Sequence, residues 1–286
     1  MNLSKYEEAI TCIEEQLRGD VDIEKAAKIA GCTGYHFSKI FLYLTDMSLN
    51  TYIRNRKMTL ASYDLQKSDM KIIDVALKYG YESPTAFNRA FKKVHGLAPS
   101  KVKHKAVHLN YHEPISFNIE IGGNRQFTYS IEDKEAIRVV GIKETYPVNI
   151  DESFARVPLQ WFKAMMTGKI RKLLAMNSQE EKTLLGLSVF DEEGQFDYYI
   201  ATATDQAVPK KYEDYLVPGG KYAVFQCRGA LPQALQELQK NIIRDWLPAS
   251  AYEYDNRPDV EVYYEGDRNR DDYRCEVWLP VKEQGS

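Results

Sequence analysis

The chain has 286 residues, 44% of them hydrophobic, with 38 Lys+Arg against 41 Asp+Glu and a formal net charge of −3. That length and apolar content support about two packed cores and exclude a disordered or fibrous chain. No apolar run approaches the ~18 residues of a membrane span, and the opening MNLSKYEEAI lacks the basic and apolar stretches that address a chain for export, so a cytoplasmic location is expected. Cys12, Cys32, Cys227 and Cys275 contain no CxxC pair and offer neither a zinc knuckle nor a disulfide framework; they read as small buried residues in a reducing compartment.

Charge divides the chain near His112. Residues 1–112 hold 17 Lys+Arg against 12 Asp+Glu, while residues 113–286 hold 21 against 29. The basic excess of the first part is concentrated after Ser83, since no acid occurs from there to His112. Two domains with different partners are expected, 1–112 and 113–286.

The first part contains a repeat. Ile23, Ala26, Ala27 and Ala30 mark a short helix with one apolar stripe, followed by Gly31 and a second helix striped by Phe37, Ile40, Phe41 and Leu44. Ile72, Val75, Ala76 and Tyr79, then Gly80, then Phe87, Ala90, Phe91 and Val94 repeat the arrangement. Each glycine stands where the turn needs a positive φ. Short helix, glycine turn and second helix make a helix-turn-helix, here present twice. Between the copies, Ser48 is placed to cap a helix from about Leu49 to Leu65, ~25 Å long at 1.5 Å per residue. Such a spacer holds two reading helices about one DNA turn, ~34 Å, apart, so one chain suffices to read two groove segments without dimerising.

With Phe87, Ala90, Phe91 and Val94 turned inward, the outward face of the second copy presents Thr85, Asn88, Arg89, Lys92 and Lys93. Arg suits the O6 and N7 of guanine, Asn suits adenine, and lysines near the helix end meet phosphates. Ser83 caps this helix and Pro84 suits its first turn. The corresponding face of the first copy offers Tyr35, His36, Ser38 and Lys39. His95, His104, His108 and His112 then cluster at the domain exit without an acid or cysteine to complete a metal site, so a solvated linker and no bound metal are expected.

From about Ala136 the pattern changes to period-two runs: AIRVVGIKET, KTLLGLSVFD, FDYYIATATD, KYAVFQCRG, DVEVYYEG and YRCEVWLPV. Helices interrupt them around Asp151–Met166 and Leu231–Trp246. The order strand, helix, strand, strand occurs twice, which points to an internally duplicated α+β domain, with FDYYIATATD the counterpart of YRCEVWLPV. Glu261 and Tyr263 share a strand face, as do Glu276 and Trp278 on the next strand, and acid with aromatics on one concave wall suits a lipophilic cation. Trp161, Tyr199, Tyr222 and Tyr146 are further candidates for that wall. The competing interpretation is that these carboxylates face water.

The stretches SKIFLYLTDMSLNTYIRNRKMTLA and IIDVALKYGYESPTAFNRAFKKVHGLAPSKVK resemble the paired helix-turn-helix region of the AraC/XylS family of transcription regulators, over roughly residues 5–105. Ile73, Ala76, Gly80, Tyr81, Phe87, Arg89, Phe91, Lys92, Gly96 and Pro99 fall at family positions. Asp46 stands where the family usually has Gly. VPGGKYAVFQCRG, IIRDWLPASAYEY, DVEVYY and CEVWLPV resemble the GyrI-like small-molecule-binding domain, over roughly 117–283. The DNA-binding region comes first here, whereas most AraC relatives place it last. The resemblances imply an all-α double helix-turn-helix followed by an α+β GyrI-like domain. They also imply a sequence-specific transcription regulator, controlled by a small lipophilic or cationic effector and requiring no cofactor. Double-stranded DNA, RNA polymerase and the effector are the partners implied, and a dimer remains compatible with the sequence.

Two alternatives stand beside this. Some stand-alone GyrI-like proteins hydrolyse strained small molecules, and Glu276 with Tyr263 can be cast as proton-transfer group and neighbour, making the chain a hydrolase fused to a DNA-binding domain. The sequence carries no Ser-His-Asp or Cys-His arrangement and no phosphate loop, which argues for a non-enzyme. An architectural DNA binder without an effector is the other.

Overall fold

The computed structural model describes residues 3–102, 107–117, 127–146, 150–190 and 196–284. His104 lies outside them. The chain forms two compact units, one of Leu3–Gly34 with Thr45–Ile119 and the other of Glu120–Ser286 with Tyr35–Leu44.

The first unit is helical: α1 (Leu3–Gln16), α2 (Ile23–Ala30), α4 (Leu49–Lys67), α5 (Ile72–Lys78), α6 (Pro84–His95) and α7 (Pro99–Val102), while α3 (Gly34–Thr45) passes from this unit into the other. Caps follow the residue chemistry. Asp22 accepts from Lys25 N at 2.9 Å, Ser48 from Thr51 N at 3.3 Å and Ser83 from Ala86 N at 3.5 Å. Gly31 and Gly80 take φ of 79° and 77° at the two turns. Gly80 is also a close approach, because a Cβ there would meet Gly19 O at 3.0 Å. The copies end alike, with Gly96 at φ 73° after α6 and Asp46 at φ 56° after α3. Met58, Ala61 and Leu65 of α4, Val75, Ala76 and Tyr79 around α5, and Phe87, Phe91 and Val94 of α6 make one core. Glu14 accepts from Arg56 at 2.6 Å and joins α1 to α4. The chain beyond the composition change at His112 stays with this unit: Arg56 Nη1 donates to His112 O at 2.6 Å, and Ile115 N donates to Tyr52 Oη at 3.2 Å.

The second unit is built on an antiparallel sheet. Its first half is β1 (Tyr129–Lys134), β2 (Ile137–Tyr146), α8 (Ile150–Met166), α9 (Lys169–Ala175), β3 (Thr183–Phe190) and β4 (Phe196–Ala203). Its second half is β5 (Glu213–Val217), β6 (Gly220–Arg228), α10 (Gln233–Asn241), which continues through a π turn to Trp246 and a short α11 (Leu247–Ala249), β7 (Tyr252–Tyr254), β8 (Asp259–Tyr264) and β9 (Arg274–Glu283). The order is β1–β6–β9–β8–β3–β4–β2–β5, with β7 added on β9. Each half therefore contributes three strands with its last in the middle, β6–β9–β8 and β3–β4–β2, and the halves meet at the β3–β8 pair. The leading strands are exchanged: β1 pairs with β6, and β5 pairs with β2.

Only Pro218 and Gly219 separate β5 from β6, which lie six positions apart in the sheet. Three residue steps span at most ~11 Å, whereas six flat strand spacings would need ~29 Å. The sheet must curl. Val139, Leu187, Tyr199, Tyr222, Val224, Val260 and Val262 form a core on its enclosed face. Glu261, Tyr263 and Tyr198 point to the other face.

Candidate effector cavity and DNA-reading helices

On that outer face a cavity of about 880 Å³ opens against the β3–β8 junction. Its floor is Leu184 and Ser188 of β3, Tyr198 of β4 and Glu261 and Tyr263 of β8; its sides come from Val157, Trp161 and Phe162 of α8, Leu174 of α9, and Leu235 and Gln239 of α10. Glu261 is the one carboxylate on the floor and it is heavily hydrogen-bonded. It accepts from Tyr198 Oη at 2.9 Å, Tyr263 Oη at 2.7 Å and Gln239 Nε2 at 2.8 Å. Trp161 Nε1 donates to Tyr198 Oη at 3.0 Å, and its ring meets that of Tyr263 edge-on at 4.8 Å. Burial, reinforced by the Glu261 charge, raises both phenols well above the ordinary tyrosine range, so they remain donors. Gly186 makes room for this group, since a Cβ there would lie 2.4 Å from Tyr198 Oη and 2.7 Å from Glu261 Oε2. The Arg268 guanidinium lies 4.7 Å from the centre of the Trp161 ring and 5.0 Å from that of Tyr263, so the rings already hold a cation.

The remaining wall is α3, through Tyr35, Lys39 and Tyr43. The Tyr35 ring stacks on Phe190 at 4.1 Å and Phe196 at 4.6 Å. Lys39 Nζ pairs with Asp259 Oδ2 at 2.7 Å. Burial opposes the Lys39 ammonium, but Asp259, with Tyr43 and Tyr35, more than offsets it and raises the pKa. Burial likewise works against the Asp259 carboxylate, and Lys39 and His36 hold it below the usual range. His36 packs against Tyr254 and Phe190, and burial pushes its imidazole down to about 4. Tyr43 Oη donates to Gln239 Oε1 at 3.0 Å. The four first-copy residues that sequence pattern assigns to DNA, Tyr35, His36, Ser38 and Lys39, are thus all buried in this structure, between 0% and 9% exposed. Tyr35, His36 and Lys39 face Phe190, Phe196, Tyr254 and Asp259 of the sheet unit and not a free surface.

Sequence alternation also places on the wall several residues that the register sends elsewhere. Val262 pairs with Glu276 and Glu261 with Val277, so Glu276 and Trp278 stand on the enclosed face, opposite Glu261. Trp278 Nε1 donates to Glu276 Oε2 at 2.8 Å there. The Tyr199 ring lies tilted against Tyr215 at 5.3 Å and Tyr222 lies beneath Arg257 at 4.6 Å, both on that same face. Tyr146 is buried beside the cavity and not in it, donating to Gln160 Oε1 at 2.9 Å. Trp161, Glu261 and Tyr263 are brought together. Tyr198, Gln239, Asp259 and Arg268 escape sequence reading; Tyr198 is the immediate neighbour of the chosen Tyr199, and one residue along a strand reverses the face.

In the helical unit, α6 turns Phe87, Phe91 and Val94 into the core and leaves Thr85, Arg89, Lys92 and Lys93 exposed, with Asn88 half-buried. Arg89, Lys92 and Lys93 pair with no acid among the described residues. His95 is buried instead, its Nε2 3.0 Å from Met58 O.

Residues 127–282 match the GyrI-like small molecule binding domain. The chain belongs to that family. Residues 26–105 match a helix-turn-helix domain. The activator AarP of Providencia stuartii is 33% identical over 32% of this chain and 69% of its own length, placing the helical unit among the AraC-type regulators. This GyrI-like regulator is also 24% identical to the right origin-binding protein of Escherichia coli K12, over 94% of this chain and 95% of that protein. Among solved structures, SAV2435 bound to tetraphenylphosphonium has 29% identity and a TM-score of 0.51, covering 54% of this chain and 94% of that one. The chain is a DNA-binding transcription regulator with a GyrI-like domain. No helix among its described residues is long and apolar enough to cross a membrane.

Proposed function

We propose that this regulator binds a lipophilic cation in the cavity of the sheet unit, with Glu261 as counter-ion, and reads DNA through α6. The observation that carries the first part is one carboxylate, fixed by three donors, on a floor walled by Tyr198, Tyr263 and Trp161. A cation leaving water needs an opposite charge to offset its desolvation, and flat apolar ions gain further from ring faces. The Arg268 guanidinium on these same rings supports this. So does tetraphenylphosphonium in the similar SAV2435.

On α6, Arg89, Asn88 and Thr85 are assigned to base edges, and Lys92 and Lys93 to phosphates, on the strength of their exposure along one face. AarP is named an activator, which supports contact with RNA polymerase as the mode of action. A single chain carries both helix-turn-helix motifs, so it is read as able to bind as a monomer. The hydrolase alternative is disfavoured because Glu276 and Tyr263 lie on opposite faces of the sheet and share no substrate position.

Calorimetric titration of the whole protein with tetraphenylphosphonium tests the cavity. Binding that Glu261→Gln weakens at least tenfold, with triphenylphosphine oxide hardly affected, is expected. Equal loss for both compounds would remove Glu261 as the counter-ion.

A further inference from the structure

The wall that α3 gives to the cavity is also the face of α3 that a reading helix would turn to DNA. Tyr35, Lys39 and Tyr43 recur every four residues, one helix face, and all three line the cavity. That face is gripped at three points. Tyr35 stacks on Phe190 and Phe196, Lys39 is paired with Asp259, and the Arg244 guanidinium donates to the Tyr43 and Leu44 carbonyls at the end of α3. A side chain so engaged cannot meanwhile meet a base or a phosphate.

The grip is wired to Glu261 through one amide. Gln239 accepts from Tyr43 at 3.0 Å and donates to Glu261 at 2.8 Å. A cation that pairs with Glu261 competes with the Gln239 donor for the carboxylate and loosens the Tyr43 end of the chain. It also adds positive charge to a cavity that the Lys39 ammonium and the Arg268 guanidinium already line, and like charges in a poorly solvated space repel. The ammonium has another partner available, the phosphate backbone of DNA.

We propose that a lipophilic cation bound at Glu261 frees α3 from the ligand-binding unit, so that the effector switches on reading by the first helix-turn-helix in addition to the second. The proposal rests on the cavity being a cation site. Cation and DNA then favour the same state, and by linkage each tightens the other by the same factor.

The test uses the whole protein, DNA fragments it selects from random sequence, and tetraphenylphosphonium. Without the cation, footprinting should show one protected groove segment; with it, protection should lengthen by about one helical turn, ~10 base pairs. Affinity should rise about tenfold or more. Asp259→Asn and Arg244→Ala break the grip without altering the α3 side chains that line the cavity, and each should lengthen the footprint with no cation present. Calorimetrically measured cation binding with unchanged footprint and affinity, or with weakened DNA binding, would overturn the coupling. If tetraphenylphosphonium does not bind at all, the cavity assignment fails by itself. The two variants then decide the grip: longer footprints in both support it, and unchanged footprints in both overturn it.

Discussion

Lys39 Nζ lies 2.7 Å from Asp259 Oδ2, with the two side chains only 11% and 5% exposed and 220 positions apart in the chain. Neither charge is stable there without the other. Removing one member of such a pair costs roughly 3–5 kcal/mol, while replacing both with apolar residues is often neutral. Lys39→Met should therefore lower the urea midpoint substantially, and Lys39→Met with Asp259→Leu should recover most of the loss. A double variant as unstable as the single one would show that packing, and not the unpaired carboxylate, accounts for the damage.

His36 makes stability depend on acid. Its folded pKa is depressed to about 4 by burial, against an unfolded value near 6.5. The unfolded chain then takes up the proton first. The contribution is complete above pH ~6.5 and is lost as pH falls toward ~4. The loss amounts to about 3 kcal/mol by the bottom of that range. Thermal melting from pH 7.5 to 4.5 should show this slope for the wild type and a shallower one for His36→Leu. His95, also lowered by burial, leaves a residual slope of the same sign.

Gly186 provides a steric test of the cavity floor. A methyl group at that position must displace Tyr198 Oη or Glu261 Oε2, which it would approach to 2.4 Å and 2.7 Å. Gly186→Ala should weaken tetraphenylphosphonium binding about tenfold or more, a loss of roughly 1.4 kcal/mol. Unchanged affinity by calorimetry would mean that the ligand does not use that carboxylate position.

Arg268 competes for the aromatic faces that a ligand would use. Its guanidinium sits within 5.0 Å of both ring centres, and such contacts contribute about 0.5–2 kcal/mol. Arg268→Ala should tighten tetraphenylphosphonium binding several-fold and triphenylphosphine oxide less, because both gain the freed ring faces and only the cation also loses a repelling charge. Weaker cation binding in this variant would show that the loop supports the site and does not block it.

On α6, base reading and phosphate contact separate by salt and sequence dependence. Arg89→Ala should reduce preference at one base pair by about 1–3 kcal/mol. Lys92→Ala or Lys93→Ala should weaken all sequences alike and flatten the salt slope. Anisotropy titrations on a selected site and a scrambled one, at several salt concentrations, distinguish these, and equal losses on both DNAs for Arg89→Ala would refute its base-reading role.

Local chemistry made much of the architecture legible. The stripes of α2, α5 and α6, the Ser48 and Ser83 caps and the positive φ of Gly31 and Gly80 are short-range consequences of residue type, and they appear where the pattern puts them. The doubled strand-helix-strand-strand order is visible for the same reason. Strands β1, β5 and β7 were not, because they are short edge pieces with half-exposed, polar or charged residues that leave no period-two signal.

The site divides along the same line. Alternation marks Glu261 with Tyr263 and, equally, Glu276 with Trp278 as acid-aromatic pairs on a strand face, with Trp161 only a further aromatic candidate. Arg89, Lys92 and Lys93 read as a basic face because that property belongs to the side chains and their local period. Which face of the curled sheet is open, which tyrosine of the Tyr198–Tyr199 pair reaches Glu261, and that Lys39 meets Asp259 depend on register and on contacts between distant segments. A one-residue step along a strand reverses a side chain, and a pairing across 220 residues leaves no mark in either neighbourhood, so those choices belong to the tertiary structure alone.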